Sequence, residues 1–325
     1  YWIAEKMNAH GQLEQFKFGN NLRTNRTYNT YTGLLETIIT PGADEAWVQN
    51  WSYAFNKIGT LTQRKDLKRS LTEDFHYDNL NRLTEMYKNN SLVNSVTYDE
   101  IGNILTKSDV GTYTYGSSEN GPHALQSIIT YTGIILSTAT QNINYTSFDK
   151  VRSIWQAADS MVFAYGTGYE RKQVDTYKNN SLKSQKYYVG NLYEREKDIT
   201  TGEIKETHYI FAAGSAIAIY TRLSAGTTNT RYLHQDHLGS IQCITDETGH
   251  LVQELSYDAW GNRRDVASWV VYTTLPTGIL LSRGFTGHEH VDLFGLINMD
   301  GRVYDPVIGR FLSADPIIQN PGNLQ

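Results

Sequence analysis

Tyr77–Ile104 reads YDNLNRLTEMYKNNSLVNSVTYDEIGNI and contains one short unit twice. The unit is an aromatic residue, an Asp and, three residues after the Asp, an Asn or a Gly. The two copies are Tyr77-Asp78 with Asn81 and Tyr98-Asp99 with Gly102. The aromatic residue can end a strand, the Asp can accept backbone N–H groups of a turn, and Asn or Gly can adopt the positive φ before the returning strand. The stretch therefore predicts consecutive β-hairpins.

Related units occur on both sides of this stretch. The aromatic residues Phe55, Tyr77 and Tyr98 are 22 and 21 residues apart. Further copies are Phe55-Asn56 with Gly59, Phe148-Asp149, Tyr257-Asp258 with Gly261, and Tyr304-Asp305 with Gly309. A lone hairpin buries too little surface to be stable, so the copies must line up in a common sheet that twists and curls. The sequence predicts an all-β fold, a spiral ribbon of antiparallel β-hairpins.

Composition supports this prediction and narrows the class of protein. The 325 residues include 23 Tyr, and their net charge of −5 comes from acids and bases that are interspersed, which gives nucleic-acid binding no support. Cys243 is the single cysteine, so it cannot form an internal disulfide, and its strand-like neighbours indicate an inert buried thiol. The most apolar run, Ile210–Tyr220, is about half the ~20 residues that cross a bilayer. It predicts a buried strand pair and no membrane span.

Two segments depart from the repeat. Glu45–Ile58 has Trp47, Trp51 and Phe55 at helical offsets, but the same aromatic residues fit a strand, so both interpretations stay open. Ser117–Thr140 predicts a loop followed by an apolar strand pair around Thr132-Gly133. This segment is a candidate seam between two parts of the ribbon.

The polar clusters offer little catalytic chemistry. His234, Asp236 and His237 form one cluster, and His288–His290 with Asp292 another, but neither has an established zinc spacing. No metal, cofactor or nucleotide site is predicted. Acids that could serve a glycosidase are interpreted as solvated caps of hairpin ends: Asp44, Glu45, Glu73, Asp74, Glu194 and Glu196. The tryptophans either stack on sugars or fill the inner layer of a sheet: Trp2, Trp47, Trp51, Trp155, Trp260 and Trp269.

The C-terminal third contains several blocks in a fixed order. Arg231–Arg264 holds DHLGS and YDAWG, Phe285–Glu289 reads FTGHE, and Gly295–Pro316 reads GLINMDGRVYDPVIGRFLSADP. Together with the repeats from about Phe55, this order resembles the tyrosine-aspartate repeats of Rhs and related polymorphic toxin proteins. The resemblance implies YD-type hairpin repeats over residues 1–230. It also implies an Rhs repeat-associated core domain over residues 231–325, which ends before any toxin domain.

The resemblance implies a bacterial, secreted or cell-surface shell. In such proteins the repeats curl into a hollow shell that encloses a C-terminal toxin or effector polypeptide as cargo, and secretion-system or chaperone proteins are further expected partners. Two alternatives remain, a cell-surface adhesin that binds carbohydrate and a self-cleaving aspartyl autoprotease. The resemblance assigns self-cleavage to Asp315, with Asp305 and Arg310 as neighbours. Both aspartates precede proline, and this local turn chemistry favours interpreting each as a turn residue over a catalytic one.

Overall fold

We describe a computed structural model of the chain, over residues 1–44, 46–116, 121–134, 136 and 140–313. The described residues form β-strands, turns and one short 3₁₀ helix. Twelve strands form the first sheet and pair in sequence order. They are β1 (Trp2–Met7), β2 (Leu13–Phe18), β3 (Arg23–Tyr28), β4 (Leu35–Pro41), β5 (Trp47–Phe55), β6 (Leu61–Asp66), β7 (Leu71–Tyr77), β8 (Leu83–Lys88), β9 (Ser91–Tyr98), β10 (Ile104–Lys107), β11 (Gly111–Tyr115) and β12 (Leu125–Thr130).

A second sheet contains eleven strands, again in sequence order. They are β13 (Gln141–Tyr145), β14 (Val151–Gln156), β15 (Asp159–Tyr165), β16 (Arg171–Lys178), β17 (Ser181–Val189), β18 (Tyr193–Asp198), β19 (Ile204–Ala212), β20 (Ser215–Leu223), β21 (Thr228–Gln235), β22 (Ile241–Thr245) and β23 (Leu251–Glu254). Every strand in it is antiparallel to its neighbours. The predicted all-β ribbon of antiparallel hairpins is therefore confirmed.

Two small antiparallel sheets complete the described chain. The first pairs β24 (Ser256–Tyr257) with β25 (Arg263–Arg264), and the 3₁₀ helix covers Phe285–Gly287. The second contains β26 (Glu289–Val291), β27 (Leu296–Met299), β28 (Arg302–Asp305) and β29 (Arg310–Phe311). None of the described helices is long and apolar enough to cross a membrane.

The ambiguous segments of the sequence resolve as strands and turns. Trp47–Phe55 is strand β5, so the aromatic residues at helical offsets belong to a sheet, while Glu45 lies outside the described residues. The first long sheet ends at β12 and the second begins at β13, which places a sheet boundary where the seam was predicted. Ile210–Tyr220 spans the ends of β19 and β20, as the predicted strand pair.

The strands bury one face, and the buried positions are not all apolar. On β7 the buried residues Glu73 and Phe75 are two apart, as the period of a strand requires. Glu73 faces Arg64 on β6, and the Arg64 Nε lies 2.6 Å from the Glu73 carboxylate with both side chains buried. The interpretation of Glu73 as a solvated cap is wrong, because a cross-strand arginine supplies the charge that water would otherwise solvate.

The chain divides into two compact units. Among the described residues, the first comprises 1–25, 40–44, 46–49 and 140–313, and the second 26–39, 50–116, 121–134 and 136. In the first unit, one core packs Phe16 and Phe18 of β2 against Ile217 of β20 and Tyr232 of β21. Cys243 lies in the same core and its thiol donates a hydrogen bond to the Val48 carbonyl at 3.1 Å, which agrees with an inert buried thiol.

A second core of the first unit joins the C-terminal sheet to the long sheet. Val291, Leu296 and Val303 of β26–β28 pack with Ile154 of β14 and Phe163 of β15. The strands that carry the closing Tyr304-Asp305 copy are therefore held by a hydrophobic core shared with β14 and β15. The predicted division of the chain at residues 230 and 231 stays a prediction.

Candidate functional site

The Asp of the repeat organises each hairpin turn. The Asp78 Oδ1 accepts the backbone N–H groups of Leu80 and Arg82, both at 2.9 Å. Asp99 repeats this with Ile101 at 3.0 Å and Asn103 at 2.8 Å. The Asp258 Oδ1 accepts the N–H groups of Trp260 and Asn262 at 2.9 Å each. One carboxylate oxygen thus satisfies two turn donors in each copy.

The residue three positions after the Asp adopts the left-handed conformation. The φ angles are 61° at Asn81, 92° at Gly102 and 97° at Gly261. At Gly261 a side chain would also meet a neighbour, since a Cβ would lie 2.8 Å from Phe285 Cδ1. This position therefore requires glycine for two reasons, while at Gly102 only the backbone conformation requires it.

The Tyr of the repeat links consecutive hairpins through its hydroxyl group. The Tyr98 hydroxyl donates a 2.7 Å hydrogen bond to the Leu83 carbonyl, at the start of the strand that leaves the preceding turn. We call this bond the tyrosine clamp. The other clamps are Tyr77 to Leu61 at 2.7 Å, Tyr115 to Ile104 at 2.9 Å and Tyr165 to Val151 at 2.6 Å. Burial raises the pKa of Tyr98 to about 12, so the hydroxyl stays a donor at neutral pH.

One copy of the repeat is shifted relative to the sequence interpretation. In the turn that contains Phe148-Asp149, the Thr146 hydroxyl accepts the Lys150 N–H at 3.1 Å, so Thr146 holds the position of the Asp. Asp149 adopts φ 60° and takes the left-handed position. Tyr145-Thr146 is therefore the true copy, and assigning it to Phe148-Asp149 was wrong. Asp tolerates the left-handed conformation better than most residues, which makes the two registers similar in sequence.

The closing copy forms a turn that is one residue longer. The Asp305 Oδ1 accepts the N–H groups of Val307 at 2.9 Å and Ile308 at 3.2 Å, and Gly309 has φ 69°. Asp305 also pairs in register with Arg310 across β28 and β29. The structure thus brings two of the three residues assigned to self-cleavage side by side in a turn. Asp315 lies outside the described residues.

The DHLGS block is another turn of the same kind, and the Asp236 Oδ2 accepts a hydrogen bond from the Gln242 side chain at 3.3 Å. The Asp236 Oδ1 accepts the N–H groups of Leu238 at 2.8 Å and Ser240 at 2.9 Å. His234 is 1% exposed, its Nε2 lies 3.0 Å from the Thr245 hydroxyl, and burial lowers its pKa to about 3. Among the described residues no group of three His, Cys, Asp or Glu side chains could hold a metal ion.

The YDAWG block contacts the FTGHEH segment, residues 285–290. The Tyr257 side chain is 1% exposed, its ring lies 5.4 Å from that of His290, and Arg263 donates to its hydroxyl at 3.3 Å. His290 accepts the backbone N–H of Phe285 through Nε2 at 3.1 Å. Burial and the nearby Arg263 charge lower the pKa of His290 well below its usual value. His290 therefore acts as a neutral acceptor that positions the 3₁₀ helix.

A buried ionic cluster lies where the C-terminal sheet meets β16–β19. Lys186 Nζ is 2.6 Å from both Glu194 Oε2 and Glu289 Oε1. Arg171 lies 2.5 Å from the other oxygen of Glu289, and Arg283 lies 3.0 Å from Glu194. We call these five residues the Lys186 cluster. The interpretation of Glu194 as a solvated cap is wrong, since two cations replace its water.

Glu289 and Lys186 stay ionised because each has oppositely charged neighbours. Burial opposes the charge of Glu289, but the neighbouring charges of Lys186 and Arg171 outweigh burial and lower its pKa. Burial likewise opposes the charge of Lys186, and the carboxylates of Glu289 and Glu194 help to raise its pKa well above its usual value. The arginines also stack on tyrosines, Arg171 on Tyr188 and Arg283 on Tyr209, each 4.3 Å from the ring centre. The cluster fastens β26 to the long sheet, and no sequence pattern indicated it.

The tryptophans do not share one environment. Trp51 and Trp269 are buried, and Arg264 lies 4.2 Å above the Trp269 ring. Trp47 and Trp155 are exposed at 40% and 36%. The described structure thus gives an inner-layer role to two of the six tryptophans and leaves two at the surface.

Residues 21–322 match the family model described as Teneurin YD-shell. The tRNA3(Ser)-specific nuclease WapA of Bacillus spizizenii is 26% identical over 265 residues, which cover 76% of this chain and 10% of that protein. The double-stranded DNA deaminase toxin A of Burkholderia cenocepacia is 36% identical over 91 residues, 28% of this chain and 6% of that protein. The chain therefore spans about a tenth or less of the length of these relatives.

Solved structures show the same fold. The crystal structure of TcdB2-TccC3-Cdc42 superposes with a TM-score of 0.76 at 20% identity, over 98% of this chain and 18% of that one. The Tc holotoxin pore of Photorhabdus luminescens gives a TM-score of 0.76 at 19% identity, over 98% and 18%. Since the family match covers nearly the whole chain, the predicted kinship with YD-repeat proteins is confirmed, and the chain belongs to the teneurin YD-shell family.

Proposed function

We propose that this chain is a structural encapsulation module of a bacterial Rhs-type toxin. Its work is to form part of a hollow β-shell that encloses a C-terminal effector polypeptide and keeps it from the surroundings until delivery. The complete protein is secreted or displayed at the cell surface, and secretion-system or chaperone proteins contact it on the way. Apart from self-cleavage of the longer protein, the module performs no chemistry on the cargo.

The observation that supports this function best is the uninterrupted pairing of the strands. β1–β12 and β13–β23 each pair in sequence order without a crossover, so each hairpin contacts its neighbours in the sheet as in a repeat protein. The Asp carboxylates stabilise the turns, and the tyrosine clamps join consecutive hairpins, so both support this strand order. A continuous sheet whose turn N–H groups have acceptors suits enclosure. Such a sheet becomes longer when hairpins are added, and the added hairpins need no separate hydrophobic core of their own.

Limited proteolysis of the complete gene product tests this function. We expect the polypeptide that follows residue 325 to resist trypsin when it is joined to the shell and to be cut when it is expressed alone. The shell should remain as a large resistant fragment in both preparations that contain it. Equal cleavage rates of the downstream polypeptide, with and without the shell, would argue against enclosure.

We also propose that, in the longer protein, Asp315 takes part in self-cleavage with Asp305 and Arg310. The cross-strand pairing of Asp305 with Arg310 supports this, because a cation beside one of two carboxylates can separate their pKa values. Asp315→Asn in the complete gene should abolish release of a C-terminal fragment on a denaturing gel. Unchanged processing in that variant would leave Asp315 as a turn residue only.

A further inference from the structure

A groove of about 630 Å³ lies beside the β2–β3 hairpin, within the first compact unit. Its other walls are residues 41–43, where β4 ends and turns, and Thr248 in the turn between β22 and β23. The volume lies within the about 300–1,000 Å³ of small-molecule sites. Among the described residues, those that line the groove include four side-chain amides but no carboxylate and no lysine. The groove therefore suits a neutral ligand with many hydrogen-bonding groups.

Two amides on β2 and β3 form an incomplete pair in this groove. Gln15 and Asn25 are cross-strand partners, and the Gln15 Nε2 donates to the Asn25 Oδ1 at 2.7 Å. The reciprocal bond from Asn25 Nδ2 to Gln15 Oε1 is not formed, and among the described residues neither atom has another partner. Both atoms reach solvent, since neither belongs to the buried polar atoms that lack a partner. A hydroxyl group, which donates and accepts, can bond either atom of this pair.

Asn21 adds a third amide at the tip of the same hairpin. Its side chain is exposed, lines the groove and forms no hydrogen bond with the described residues. The neighbouring Asn20 is engaged, because its Nδ2 donates to the Thr245 hydroxyl at 3.0 Å and to the Asp246 carbonyl at 2.8 Å. Asn20 thus fastens the hairpin to β22 and fixes the backbone that carries Asn21.

Arg23 contributes donors without an uncompensated charge. Its Nε and Nη2 donate to the two carboxylate oxygens of Glu5, at 2.5 Å and 2.9 Å. The side chain is 50% exposed, and the N–H groups of Nη1 have no partner among the described residues. Since Glu5 neutralises Arg23, the groove offers an anion no unpaired cation.

The remaining wall offers apolar contact and excludes other classes of ligand. Pro41 and Ala43 are exposed and line the groove, so they can pack against the C–H face of a sugar ring. Both edges of β2 and of β3 are already paired, so a peptide cannot join them as an added strand. None of the described lining residues is aromatic, so a nucleobase finds no ring to stack on.

We propose that this groove binds a neutral saccharide. Its hydroxyl groups bond the amides of Gln15, Asn21 and Asn25 and the Nη1 of Arg23, while a ring face lies on Pro41. The site is independent of the encapsulation function, because Gln15 and Asn25 lie on the face of the sheet opposite the core residue Phe16.

Saturation-transfer NMR on the whole chain tests the proposal with four neutral trisaccharides: maltotriose, cellotriose, mannotriose and chitotriose. An open groove without an aromatic anchor predicts a Kd of about 1 mM, so each probe is used at about 10 mM. We expect transfer to at least one sugar and none to the peptide Gly-Ser-Asn-Ser-Gly. Transfer to the peptide alone would assign the groove to a polypeptide and overturn the proposal, as would transfer to no probe.

Variants show whether the bound sugar lies in this groove. Asn25→Ala should weaken its binding about fivefold, as the loss of one net hydrogen bond does. Asn21→Gly should do the same, and glycine keeps the φ of 68° at that position. Gln185→Ala is the matched control, because this β17 amide, which donates to Asp175 at 3.1 Å, lies outside the groove.

Thermal unfolding shows that each variant is folded before its binding is compared. Binding that is unchanged in both asparagine variants would overturn the proposal, and so would an equal loss in Gln185→Ala.

Discussion

Replacing Tyr98 by Phe removes one tyrosine clamp and little else. The ring stays, and with it the contact to Arg82, whose guanidinium lies 4.7 Å above the ring centre. What is lost is the 2.7 Å hydrogen bond to the Leu83 carbonyl. A net hydrogen bond contributes about 0.5–1.5 kcal/mol, and the abandoned carbonyl is only half-buried, so we expect the free energy of unfolding to fall by about 1 kcal/mol.

Urea denaturation followed by tryptophan fluorescence measures this change. The midpoint should move to lower urea while the slope stays the same, because the surface exposed on unfolding does not change. Tyr87→Phe is the control, since among the described residues the Tyr87 hydroxyl bonds only Glu85 on its own strand. Its effect should stay within about 0.5 kcal/mol. If the two variants lost the same stability, the clamp would contribute nothing beyond an ordinary surface hydroxyl.

Three further predictions concern the buried charge, the turns and pH. Lys186→Met should lower the free energy of unfolding by about 3–5 kcal/mol, because it removes the cation that the buried carboxylates of Glu194 and Glu289 share and leaves each with a single arginine. Lys172→Met, at an exposed ion pair, should cost at most about 1 kcal/mol in the same urea titration. In thermal unfolding, Gly102→Ala should lower the free energy of unfolding by about 1–2 kcal/mol, because alanine is strained in the left-handed conformation. Gly261→Ala should lower it by more, since a Cβ there would also clash with Phe285, and equal losses would contradict this. The pKa of His234 is lowered from 6.5 to about 3 in the folded state, so its contribution to the free energy of unfolding is present above pH 6.5 and is lost as the pH falls towards 3. His234→Gln should therefore reduce the slope of the free energy of unfolding against pH in this window by about 1.4 kcal/mol per pH unit, and an unchanged slope would contradict this.

Much of the fold follows from local sequence signals. An Asp followed three residues later by Gly or Asn specifies a turn by itself, because both the acceptor and the left-handed residue lie within one hairpin. The copy at Tyr145-Thr146 was misassigned since Thr can replace Asp as the acceptor and Asp149 can replace Gly. Local chemistry allows both substitutions, so only the hydrogen-bond pattern distinguishes the registers.

The tyrosine clamp could have been found from spacing alone. Each acceptor lies five residues after the turn acceptor of the preceding hairpin, as Leu83 follows Asp78 and Ile104 follows Asp99. The Lys186 cluster had no such signal. Glu289 is 103 residues from Lys186 in the chain, and the pair forms only because β26 packs on the long sheet. Sequence patterns indicate contacts within a hairpin, and they do not show which charged side chains come together when two sheets pack.

The central claim is that the chain forms part of a wall around another polypeptide. A cryo-electron microscopy reconstruction of the complete gene product tests it most directly. The proposed function predicts density for the polypeptide that follows residue 325 on the inside of a continuous β-wall that includes β1–β23. A reconstruction that places this polypeptide outside the wall, as a separately folded domain in contact with solvent, would contradict it.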